Sequence, residues 1–423
     1  MNLKNEMKGT LCILMAGGKG ERLYPLTKAK AKPSVRFGGI YRIVDFTLSN
    51  CLNSDIRRIY VLTQYRSVSL DRHIRLGWNI FNHELGEFIE CVPPQQRNVD
   101  RWYRGTADSI YQNIYILQRE RPNRVLILSG DHVYKMNYND MLAFHIEKGA
   151  DLTVAGVEAP RDEAKAFGVI GCDDDFRITD WDEKPDNPKA IPGKPDKSFV
   201  SMGVYIFNTE ALVKNIMEDV KDPRSSHDFG KDIVHKMISS NKVYVHSFKE
   251  ANNESGAYWR DIGTLDAYWQ ANMDLCSESP LCNLYDQSWP IRTYQEQVPP
   301  AKIVASQPGS LWGTGGVQTV NCIISGGCIV SGAKIVRSAL SHGVVVEEGS
   351  MVEDSVLLDK CRIGKEAKVK KAIIDHEVYV PDGFMIGYDH KLDRQRFTIS
   401  PDGVVVVPNG MSLASSNEPQ VAE

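Results

Sequence analysis

The sequence lacks several features that would place it in a specialised class. Its nine cysteines include no CxxC pair, which argues against a zinc site. It has no basic excess, since 54 acidic residues outnumber 50 lysines and arginines, so a bulk nucleic-acid binder is not expected. The apolar runs at 11–16 and 404–407 are too short to cross a bilayer, and residues 1–10 lack the apolar core of a signal peptide. We expect a cytoplasmic protein with free, buried thiols and no membrane or nucleic-acid partner.

The composition is that of a globular protein of two or three domains. The chain has 423 residues, of which 42% are hydrophobic and 25% charged. In its first part, short apolar runs alternate with helix-like stretches: strands at 11–16, 59–63 and 125–129, and helices at 43–52 and 109–119. This alternation predicts a Rossmann-like, mixed but mostly parallel sheet with helices on both faces. Ligands bind at the carboxyl ends of such strands, which places Gly17, Gly18, Gln64 and Asp131 along one rim.

Further strands follow before the chain changes character. We predict them at 151–157, 168–172, 177–183, 199–207 and 243–248, with a loop at 185–196 and a closing helix at 265–275. These elements complete a domain at 8–276. The Pro-rich stretch 277–305 is predicted to be a linker.

The C-terminal part repeats with a step of 16 or 17 residues. Three apolar series show it: Val320, Val336, Val352 and Val369; Ile324, Leu340, Val356 and Ile373; Ile329, Val345, Cys361 and Val378. Small residues and turn formers lie between them. This pattern predicts a parallel β-helix at 306–408, with an irregular antiparallel β domain as the alternative. A polar tail at 409–423 completes the chain.

One glycine-rich loop follows the first predicted strand. Gly17, Gly18 and Gly20 allow close approach of a phosphate to the backbone, and Lys19, Arg22 and Lys32 add positive charge. Cations this close repel one another unless anions fill the space, so a triphosphate is the expected ligand. The alternative is a tight turn before a helix.

Two aspartates and one acidic–basic pair complete the chemistry-bearing residues. Asp131 follows a strand and Asp261 lies in the WRDIG segment, and two such carboxylates would suit Mg²⁺. The alternative for each is a turn or helix-capping aspartate. Glu183 and Lys184 end a strand, where they could hold sugar hydroxyls and a phosphate, or form an ordinary exposed charge pair.

Taken together, these motifs resemble those of the sugar-1-phosphate nucleotidyltransferases. GGKGER at 17–22, KP at 32–33, SGDH at 129–132, FG at 167–168, EKP at 183–185 and WRDIGT at 259–264 occur in that order. The segments FTLSNC at 46–51, WYRGTAD at 102–108, SSHDFGKD at 225–232 and WPIRT at 289–293 look like those of bacterial ADP-glucose pyrophosphorylases. The resemblance covers residues 8–387. It implies an α/β nucleotidyltransferase domain followed by a left-handed parallel β-helix, and a homotetramer.

The resemblance also implies an activity and residue roles. Such enzymes convert ATP and α-glucose 1-phosphate to ADP-glucose and pyrophosphate, the committing step of bacterial glycogen synthesis. Arg22, Lys32, Asp131 and Asp261 match catalytic positions, with Mg²⁺ on the two aspartates. Matching ATP positions are Gly17, Gly18, Lys19, Gly20, Gln64, Gly105 and Thr106; matching glucose 1-phosphate positions are Tyr103, Gly168, Glu183, Lys184 and Ser201.

Allosteric regulation by small anionic metabolites is implied as well. The basic cluster Lys28, Lys30, Arg36 and Arg42 suits such an effector, or is a solvated basic face. Ala29 stands where the fructose-bisphosphate-activated members have a lysine, so fructose 1,6-bisphosphate is not the expected activator. Glu21 replaces a common threonine in the phosphate loop, where an acid is unfavourable unless it points away or pairs with a neighbouring cation.

Three alternatives remain open at this point. The nucleotide could be UTP, dTTP or GTP, because base choice depends on a few hydrogen bonds. The chain could be a non-catalytic regulatory member, although it retains Arg22, Lys32, Asp131, Lys184 and Asp261. Acyl transfer by the β-helix would need a histidine, and the candidates His342 and His376 are expected at repeat corners facing solvent.

Overall fold

The computed structural model describes residues 3–94, 102–250, 257–305 and 317–413, which form two compact units. The first unit comprises residues 1–18, 46–259 and 287–291, and the second comprises residues 19–45, 260–286 and 292–423. The glycine-rich loop therefore crosses from one unit to the other between Gly18 and Lys19.

Strands and helices up to residue 275 alternate along the chain. The strands are β1 (Thr10–Met15), β2 (Arg36–Phe37), β3 (Tyr41–Arg42), β4 (Arg58–Leu62), β5 (Phe88–Val92), β6 (Arg124–Ser129), β7 (His132–Tyr134), β8 (Leu152–Pro160), β9 (Gly168–Cys172), β10 (Ile178–Glu183), β11 (Lys197–Asn208), β12 (Val243–Ser247) and β13 (Trp259–Asp261). The α-helices are α1 (Leu3–Lys8), α2 (Ile43–Asn53), α3 (Val68–Gly77), α4 (Thr106–Gln112), α5 (Ile114–Glu120), α6 (Tyr138–Glu147), α7 (Arg161–Ala164), α8 (Thr209–Asp219), α9 (His235–Ile238) and α10 (Leu265–Leu275).

The first unit is built on a nine-stranded mixed sheet. Its main path runs β10-β9-β11-β6-β1-β4-β5, and β8 pairs with both β11 and β12. The β6-β1-β4-β5 half is parallel, whereas β11 runs antiparallel to β6, β8 and β9. The apolar runs predicted to be strands form this parallel half, and their side chains in β1, β4 and β6 are almost entirely buried. Burial of each such aliphatic side chain contributes about 1.5–3 kcal/mol.

One predicted helix is interrupted in the structure. The stretch expected as a single helix at 109–119 forms α4 and α5, which are separated at Asn113. The Asn113 side chain donates to the Ser109 carbonyl at 2.8 Å and to the Tyr103 hydroxyl at 3.0 Å. Asparagine competes with the helix for such backbone partners, which accounts for the break.

The second unit contains three sheets of short, mostly parallel strands. The elements after residue 300 are β14 (Lys302–Val304), β15 (Gln318–Val320), β16 (Ile323–Ile324), β17 (Ile329–Ser331), β18 (Lys334–Val336), β19 (Ala339–Leu340), β20 (Val345–Val346), β21 (Met351–Glu353), β22 (Val356–Leu357), β23 (Arg362–Ile363), β24 (Lys368–Lys370), β25 (Ala372–Ile374), β26 (Tyr379–Val380), β27 (Met385–Ile386), α11 (His390–Arg396), β28 (Thr398–Ile399) and β29 (Val405–Val407). Strands of successive coils pair in parallel, in the orders β14-β17-β20-β23-β26, β15-β18-β21-β24-β27 and β16-β19-β22-β25-β29. At the end of the third sheet, β28 pairs antiparallel with β29. This arrangement is consistent with the expected left-handed parallel β-helix.

The three apolar series predicted from the sequence were each wrong by one residue at two positions. In the structure Thr319 pairs with Ile335, and Ile335 pairs with Val352, so the first step is 16 residues and the next is 17. Because the predicted series took a second step of 16 residues where the structure has 17, its first two members lie one residue beyond the positions that align with Val352. Val320, which the sequence pattern placed inside, is 51% exposed, whereas Ile335 is fully buried.

The same slip affects the other two series. Ile324 aligns with Leu340 and then with Leu357 rather than Val356, and Leu357 aligns with Ile374 rather than Ile373. Val345 aligns with Arg362, so Cys361 belongs to the preceding ladder position. The coils turn at three corner lines of left-handed backbone: Asn321, Arg337, Asp354 and Lys371; Gly327, Gly343, Lys360 and Glu377; Gly332, Gly349, Glu366 and Gly383.

Helix α10 packs against the β-helix within the second unit. The Trp269 indole donates to the Asp354 carbonyl at 2.7 Å, and the Lys371 ammonium lies 5.3 Å from the centre of the Trp269 ring. The Tyr268 hydroxyl donates to the Arg36 carbonyl at 2.6 Å. These contacts hold the segment that follows Asp261 to the corner line of Asp354 and Lys371.

Several other expectations concern the whole chain. All nine cysteines are free, as predicted, and six of them are buried. In the part of the chain that the structure describes, no helix combines the length and apolar character needed to cross a bilayer. Residues 306–316 and 414–423 lie outside the described residues, and with them the start of the predicted β-helix domain and most of the predicted polar tail.

Candidate active site

The rim expected at the carboxyl ends of the parallel strands is present in the first unit. Gly17 follows β1, Gln64 follows β4 and Asp131 follows β6. Gly17 lies so close to Gln64 that a Cβ atom at 17 would approach the Gln64 Cβ to 2.9 Å. At Gly18, by contrast, a Cβ would meet no atom within 4 Å. The loop therefore packs tightly on one side and opens at Gly18, as a backbone that receives a ligand requires.

Asp131 is oriented by its neighbours in the first unit. The Ser129 hydroxyl donates to the Asp131 Oδ1 atom, and the His132 Nε2 atom lies 3.4 Å from the same oxygen. The His132 ring in turn contacts the Trp259 ring edge to face at 5.2 Å. The Asp131 side chain retains 30% of its exposure. A partly exposed, oriented carboxylate at a strand end suits metal or substrate binding.

The predicted sugar-phosphate residues lie around the β9–β10 hairpin. Gly168 pairs directly with Glu183, and a Cβ at 168 would approach the Glu183 carboxylate to 3.1 Å. Lys184 donates its backbone N–H to the Phe167 carbonyl at 2.9 Å and has φ +50. A left-handed lysine is uncommon and such conformations concentrate at functional sites. Gly168, Glu183 and Lys184 are thus brought together, with Glu183 and Lys184 exposed.

Ser201 and Tyr103 also belong to the first unit. Ser201 lies on β11 at a register shift that ends at Tyr205, and its hydroxyl accepts the Gly203 N–H at 3.3 Å. Burial raises the pKa of Tyr103, so its phenol stays neutral at physiological pH and can donate to a ligand oxygen.

The Gly105–Thr106 turn is held by a segment to which the sequence reasoning assigned no role. A Cβ at Gly105 would lie 2.4 Å from the carbonyl oxygens of Ser226 and His227, so only glycine fits there. The Thr106 hydroxyl donates to the Asp228 carboxylate at 3.0 Å and accepts the Phe229 N–H at 2.9 Å. The SSHDFGKD segment at 225–232 served only as a mark of resemblance in the sequence, because nothing in its spacing indicates this contact.

The basic half of the glycine-rich loop belongs to the second unit. Gly20 has φ +65, and a Cβ there would lie 3.0 Å from the Lys32 Cβ and 3.1 Å from the Thr27 Cγ2. The Thr27 hydroxyl donates to the Gly20 carbonyl at 2.9 Å. The loop is therefore fixed to the turn that contains Lys32.

A partly buried ion pair joins Lys32 to Asp261 within this unit. Their side chains meet at 3.3 Å, with the Lys32 residue 7% exposed. A Cβ at Gly263 would approach the Asp261 carboxylate to 2.8 Å and the Arg22 guanidinium to 3.2 Å, so Arg22 lies beside the pair. The structure thus brings Arg22, Lys32 and Asp261 together. Two cations flanking one carboxylate form a site with excess positive charge, suited to a polyphosphate.

Glu21, the unusual acid in the loop, pairs with Lys19. The Lys19 ammonium lies 3.6 Å from the Glu21 carboxylate. The Lys19 side chain is 68% exposed and the Glu21 side chain 78%. Such an exposed pair contributes little to stability. An acid next to bound phosphates is unfavourable unless it points away or pairs with a neighbouring cation, and Glu21 does the second.

Two of the four residues predicted to bind an effector, Lys30 and Arg36, are paired with acids of the second unit. Lys30 lies 3.6 Å from Asp375, and Arg36 donates to Asp359 at 2.6 Å. Burial, followed by repulsion from Arg36, lowers the pKa of Arg42 to about 10, and Arg42 donates to the Ser34 carbonyl. Lys28 is exposed. Lys30 and Arg36 are therefore charge-compensated, and an effector role for the cluster stays a prediction.

The expectation that the two candidate histidines, His342 and His376, face solvent was wrong for His342. This residue is only 6% exposed, because its ring turns back to the Gly326 carbonyl at 3.3 Å. The His376 side chain is 32% exposed and contacts Asp375 at 2.9 Å.

The predicted site residues are divided between the two units. The first unit holds Gly17, Gly18, Gln64, Tyr103, Gly105, Thr106, Asp131, Gly168, Glu183, Lys184 and Ser201, and the second holds Lys19, Gly20, Arg22, Lys28, Lys30, Lys32, Arg36, Arg42 and Asp261. Joint coordination of one metal ion by Asp131 and Asp261 stays a prediction.

Comparison with known proteins identifies the family. Residues 11–278 match the nucleotidyl transferase family, and residues 299–407 match the GlmU-like C-terminal hexapeptide family. The glucose-1-phosphate adenylyltransferase of Koribacter versatilis is 48% identical over 96% of both chains. Glucose-1-phosphate adenylyltransferase 2 of Vibrio cholerae is 48% identical over 97% of this chain and 100% of its own, and the Thiobacillus denitrificans enzyme is 49% identical over 94% and 90%. The chain therefore belongs to the glucose-1-phosphate adenylyltransferase family of nucleotidyltransferases.

Proposed function

We propose that the protein transfers the adenylyl group of ATP to α-D-glucose 1-phosphate and releases pyrophosphate. The observation that supports this most directly is the partly buried Lys32–Asp261 pair beside Arg22. Arg22 and Lys32 carry one more charge than Asp261 neutralises, so the site is positive and complements a negatively charged triphosphate. The Asp261 carboxylate can in addition bind the metal ion that accompanies the triphosphate. Lys32 is neutralised by Asp261 before substrate binds, so its burial costs less free energy than that of an isolated charge.

In the proposed reaction, a phosphate oxygen of glucose 1-phosphate attacks the α-phosphorus of ATP. The new O–P bond forms as the bond from the α-phosphorus to the β-phosphate oxygen breaks, and pyrophosphate leaves with the electron pair. No covalent enzyme intermediate is required. The protein then contributes positioning and neutralisation of negative charge. Arg22, assisted by Lys19 and the loop N–H groups, stabilises the charge on the departing pyrophosphate, and Lys32 contacts the nucleotide phosphates.

Nucleotidyltransferases of this kind typically use a divalent metal ion. We propose Mg²⁺, with Asp131 and Asp261 as its protein ligands, because carboxylate oxygens suit this hard cation. Bound there, it would neutralise charge on the phosphate oxygens. Ser129 and His132 hold the Asp131 carboxylate in one orientation, and Lys32 does the same for Asp261.

The remaining site residues are proposed to divide between the two substrates. On the ATP side, Gly17, Gly18 and Gly20 surround the phosphates, and Gln64 with the Gly105–Thr106 turn lies near the adenine. On the sugar side, Lys184 holds the phosphate of glucose 1-phosphate, and Tyr103, Gly168, Glu183 and Ser201 contact the sugar. The exposure of Glu183 and Lys184 at the end of β10 supports their assignment to a ligand rather than to packing.

The biological setting is also part of the proposal. We place the reaction at the committing step of bacterial glycogen synthesis, in a homotetramer regulated by small anionic effectors at Lys28, Lys30, Arg36 and Arg42. The absence of disulfides among all nine cysteines is in keeping with a reducing, cytoplasmic setting. The proposed catalytic domain is 8–276, joined by a linker at 277–305 to the β-helix domain at 306–408, with a tail at 409–423.

A pyrophosphate-release assay with each of ATP, UTP, dTTP and GTP against glucose 1-phosphate tests the proposal. We expect release with ATP at least about tenfold faster than with any other nucleotide, because a base site that forms specific hydrogen bonds discriminates strongly. Addition of EDTA should stop release, and excess Mg²⁺ should restore it. A clear preference for UTP, dTTP or GTP would assign the chain to another sugar nucleotide, and no release with any nucleotide would indicate a non-catalytic member.

A further inference from the structure

The Gly105–Thr106 turn depends on a carbonyl supplied from elsewhere in the first unit. Helix α4 begins after Gly105, which has no side chain to cap it. The His227 carbonyl accepts the N–H groups of Ala107 at 2.8 Å and Asp108 at 3.4 Å. The first amides of a helix have no partner within the helix, so an external carbonyl fixes where the helix starts. The position of the turn is thus tied to the backbone of His227.

That backbone is in an unfavourable conformation. His227 has φ +56, a region that residues with a Cβ rarely adopt. Its N–H donates to the Ser225 hydroxyl at 2.9 Å. Because the Ser226 and His227 carbonyls leave no room for a Cβ at Gly105, the two segments pack closely, and a relaxation of His227 would displace the turn.

The His227 side chain is held by a buried acid. Its Nδ1 atom lies 2.7 Å from Asp219 Oδ2, and the two side chains are only 2% and 3% exposed. Asp219 Oδ1 also accepts from Ser225 at 2.8 Å and from Lys236 at 2.7 Å. Burial alone would raise the pKa of Asp219, but the hydrogen bonds from Lys236, His227 and Ser225 outweigh it and lower the pKa. Asp219 is therefore an ionised acceptor, to which the Nδ1 atom of His227 donates.

We infer that Asp219 and His227 form a positioning pair that sets the Gly105–Thr106 turn for nucleotide binding. Asp219 fixes the His227 ring, the ring holds the left-handed backbone at 227, and the His227 carbonyl fixes the start of α4. Neither residue is expected to touch substrate. The inference rests on the proposed assignment of Gly105 and Thr106 to ATP.

Two substitutions of His227 separate the ring contact from the backbone effect. Asparagine and glycine both accept a positive φ, but only asparagine retains a donor near the Nδ1 position. The Nε2 atom of His227 is buried and forms no hydrogen bond within the described residues, so its loss in asparagine removes no contact found there. We expect H227N to keep the KM for ATP within about twofold and H227G to raise it about tenfold, as the loss of a charge-assisted hydrogen bond predicts. D219N should resemble H227G.

The pair should affect binding rather than chemistry. We expect kcat to change less than about threefold in H227G and D219N, because Asp131 and Lys184 are untouched.

Amide hydrogen exchange of Ala107 and Asp108 should accelerate in H227G and D219N, and stay slow in H227N. If H227G does not fold, S225A removes one hydrogen bond to Asp219 and one from the His227 N–H, and should raise the KM for ATP in the same direction to a smaller extent.

Equal KM values for ATP in H227N and H227G would overturn the inference, as would a loss confined to kcat. An unchanged KM in S225A would count against it as well. The hydrogen-exchange measurement tests the positioning role of the pair even if the proposed function is wrong, because it does not depend on turnover. Should the wild type not turn over ATP, protection of Ala107 and Asp108 that is equal in wild type, H227N and H227G would still contradict a positioning role for the pair.

Discussion

Replacement of Asp131 by asparagine is expected to abolish nearly all turnover and leave the fold intact. Asparagine has the shape of aspartate but no charge, and a neutral amide is a poor ligand for a divalent metal ion. The side chain is 30% exposed and lies beyond the end of β6, so its charge is not needed for packing of the sheet. We expect kcat to fall by at least about 10³-fold, the size of a lost charge contact with the transition state.

Steady-state pyrophosphate release and thermal unfolding measure the two halves of this prediction. The matched control is D162N, since the Asp162 side chain is 97% exposed on α7 and pairs only with a neighbouring lysine at 3.4 Å among the described residues. D162N should retain wild-type kcat, and both variants should unfold near the wild-type temperature. Turnover of D131N within about tenfold of wild type would exclude the metal-ligand role of Asp131.

Replacement of Lys184 by alanine is expected to weaken binding of glucose 1-phosphate and to leave binding of ATP nearly unchanged. The loss of one charged contact to a bound phosphate costs about 2–4 kcal/mol, or roughly 10²-fold in the KM for glucose 1-phosphate. Lys184 has φ +50, but alanine also has a Cβ and meets the same backbone strain. A difference in KM between the wild type and K184A therefore measures the effect of the lysine side chain beyond Cβ.

The measurement is the KM for each substrate with the other held at saturation. K165A is the control, because Lys165 is an exposed lysine on the same unit that pairs with Asp162. It should leave both KM values unchanged. Equal increases in the KM for ATP and for glucose 1-phosphate in K184A would show that Lys184 does not select the sugar phosphate.

Local sequence patterns predicted the strands of the first unit well. The runs at 11–16, 59–63 and 125–129 are continuous apolar stretches ended by polar or small residues, and they became β1, β4 and β6 with shifts of one residue. Burial on both faces of the sheet explains this agreement, because every side chain of such a strand has to be apolar. The rim residues Gly17, Gln64 and Asp131 followed from the strand ends.

The β-helix was predicted as a fold but not in register. Apolar residues stand next to one another at several positions, such as Val356–Leu357 and Ile373–Ile374, so a repeat step of either 16 or 17 residues finds an apolar match. Only strand pairing distinguishes them. A one-residue shift exchanges the inner and outer faces of a strand, which is why Val320 was misplaced.

Contacts between distant segments could not be predicted from the sequence. Lys32 and Asp261 are 229 residues apart, and nothing in either motif indicates that they pair. The support of the Gly105–Thr106 turn by His227 is of the same kind, since the resemblance matched the turn to an ATP position but indicated no contact with residue 227. The partners of Lys30 and Arg36 in the β-helix were equally hidden, so the basic cluster looked freer in the sequence than in the structure.

The most direct test of adenylyl transfer follows the oxygen atoms of the sugar phosphate. Glucose 1-phosphate labelled with ¹⁸O at its three non-bridging phosphate oxygens is incubated with ATP and Mg²⁺, and the products are analysed by mass spectrometry. Attack by a sugar-phosphate oxygen on the α-phosphorus predicts ADP-glucose that retains all of the label, together with unlabelled pyrophosphate. Label in the pyrophosphate, or formation of ADP-glucose without the full label, would contradict the account.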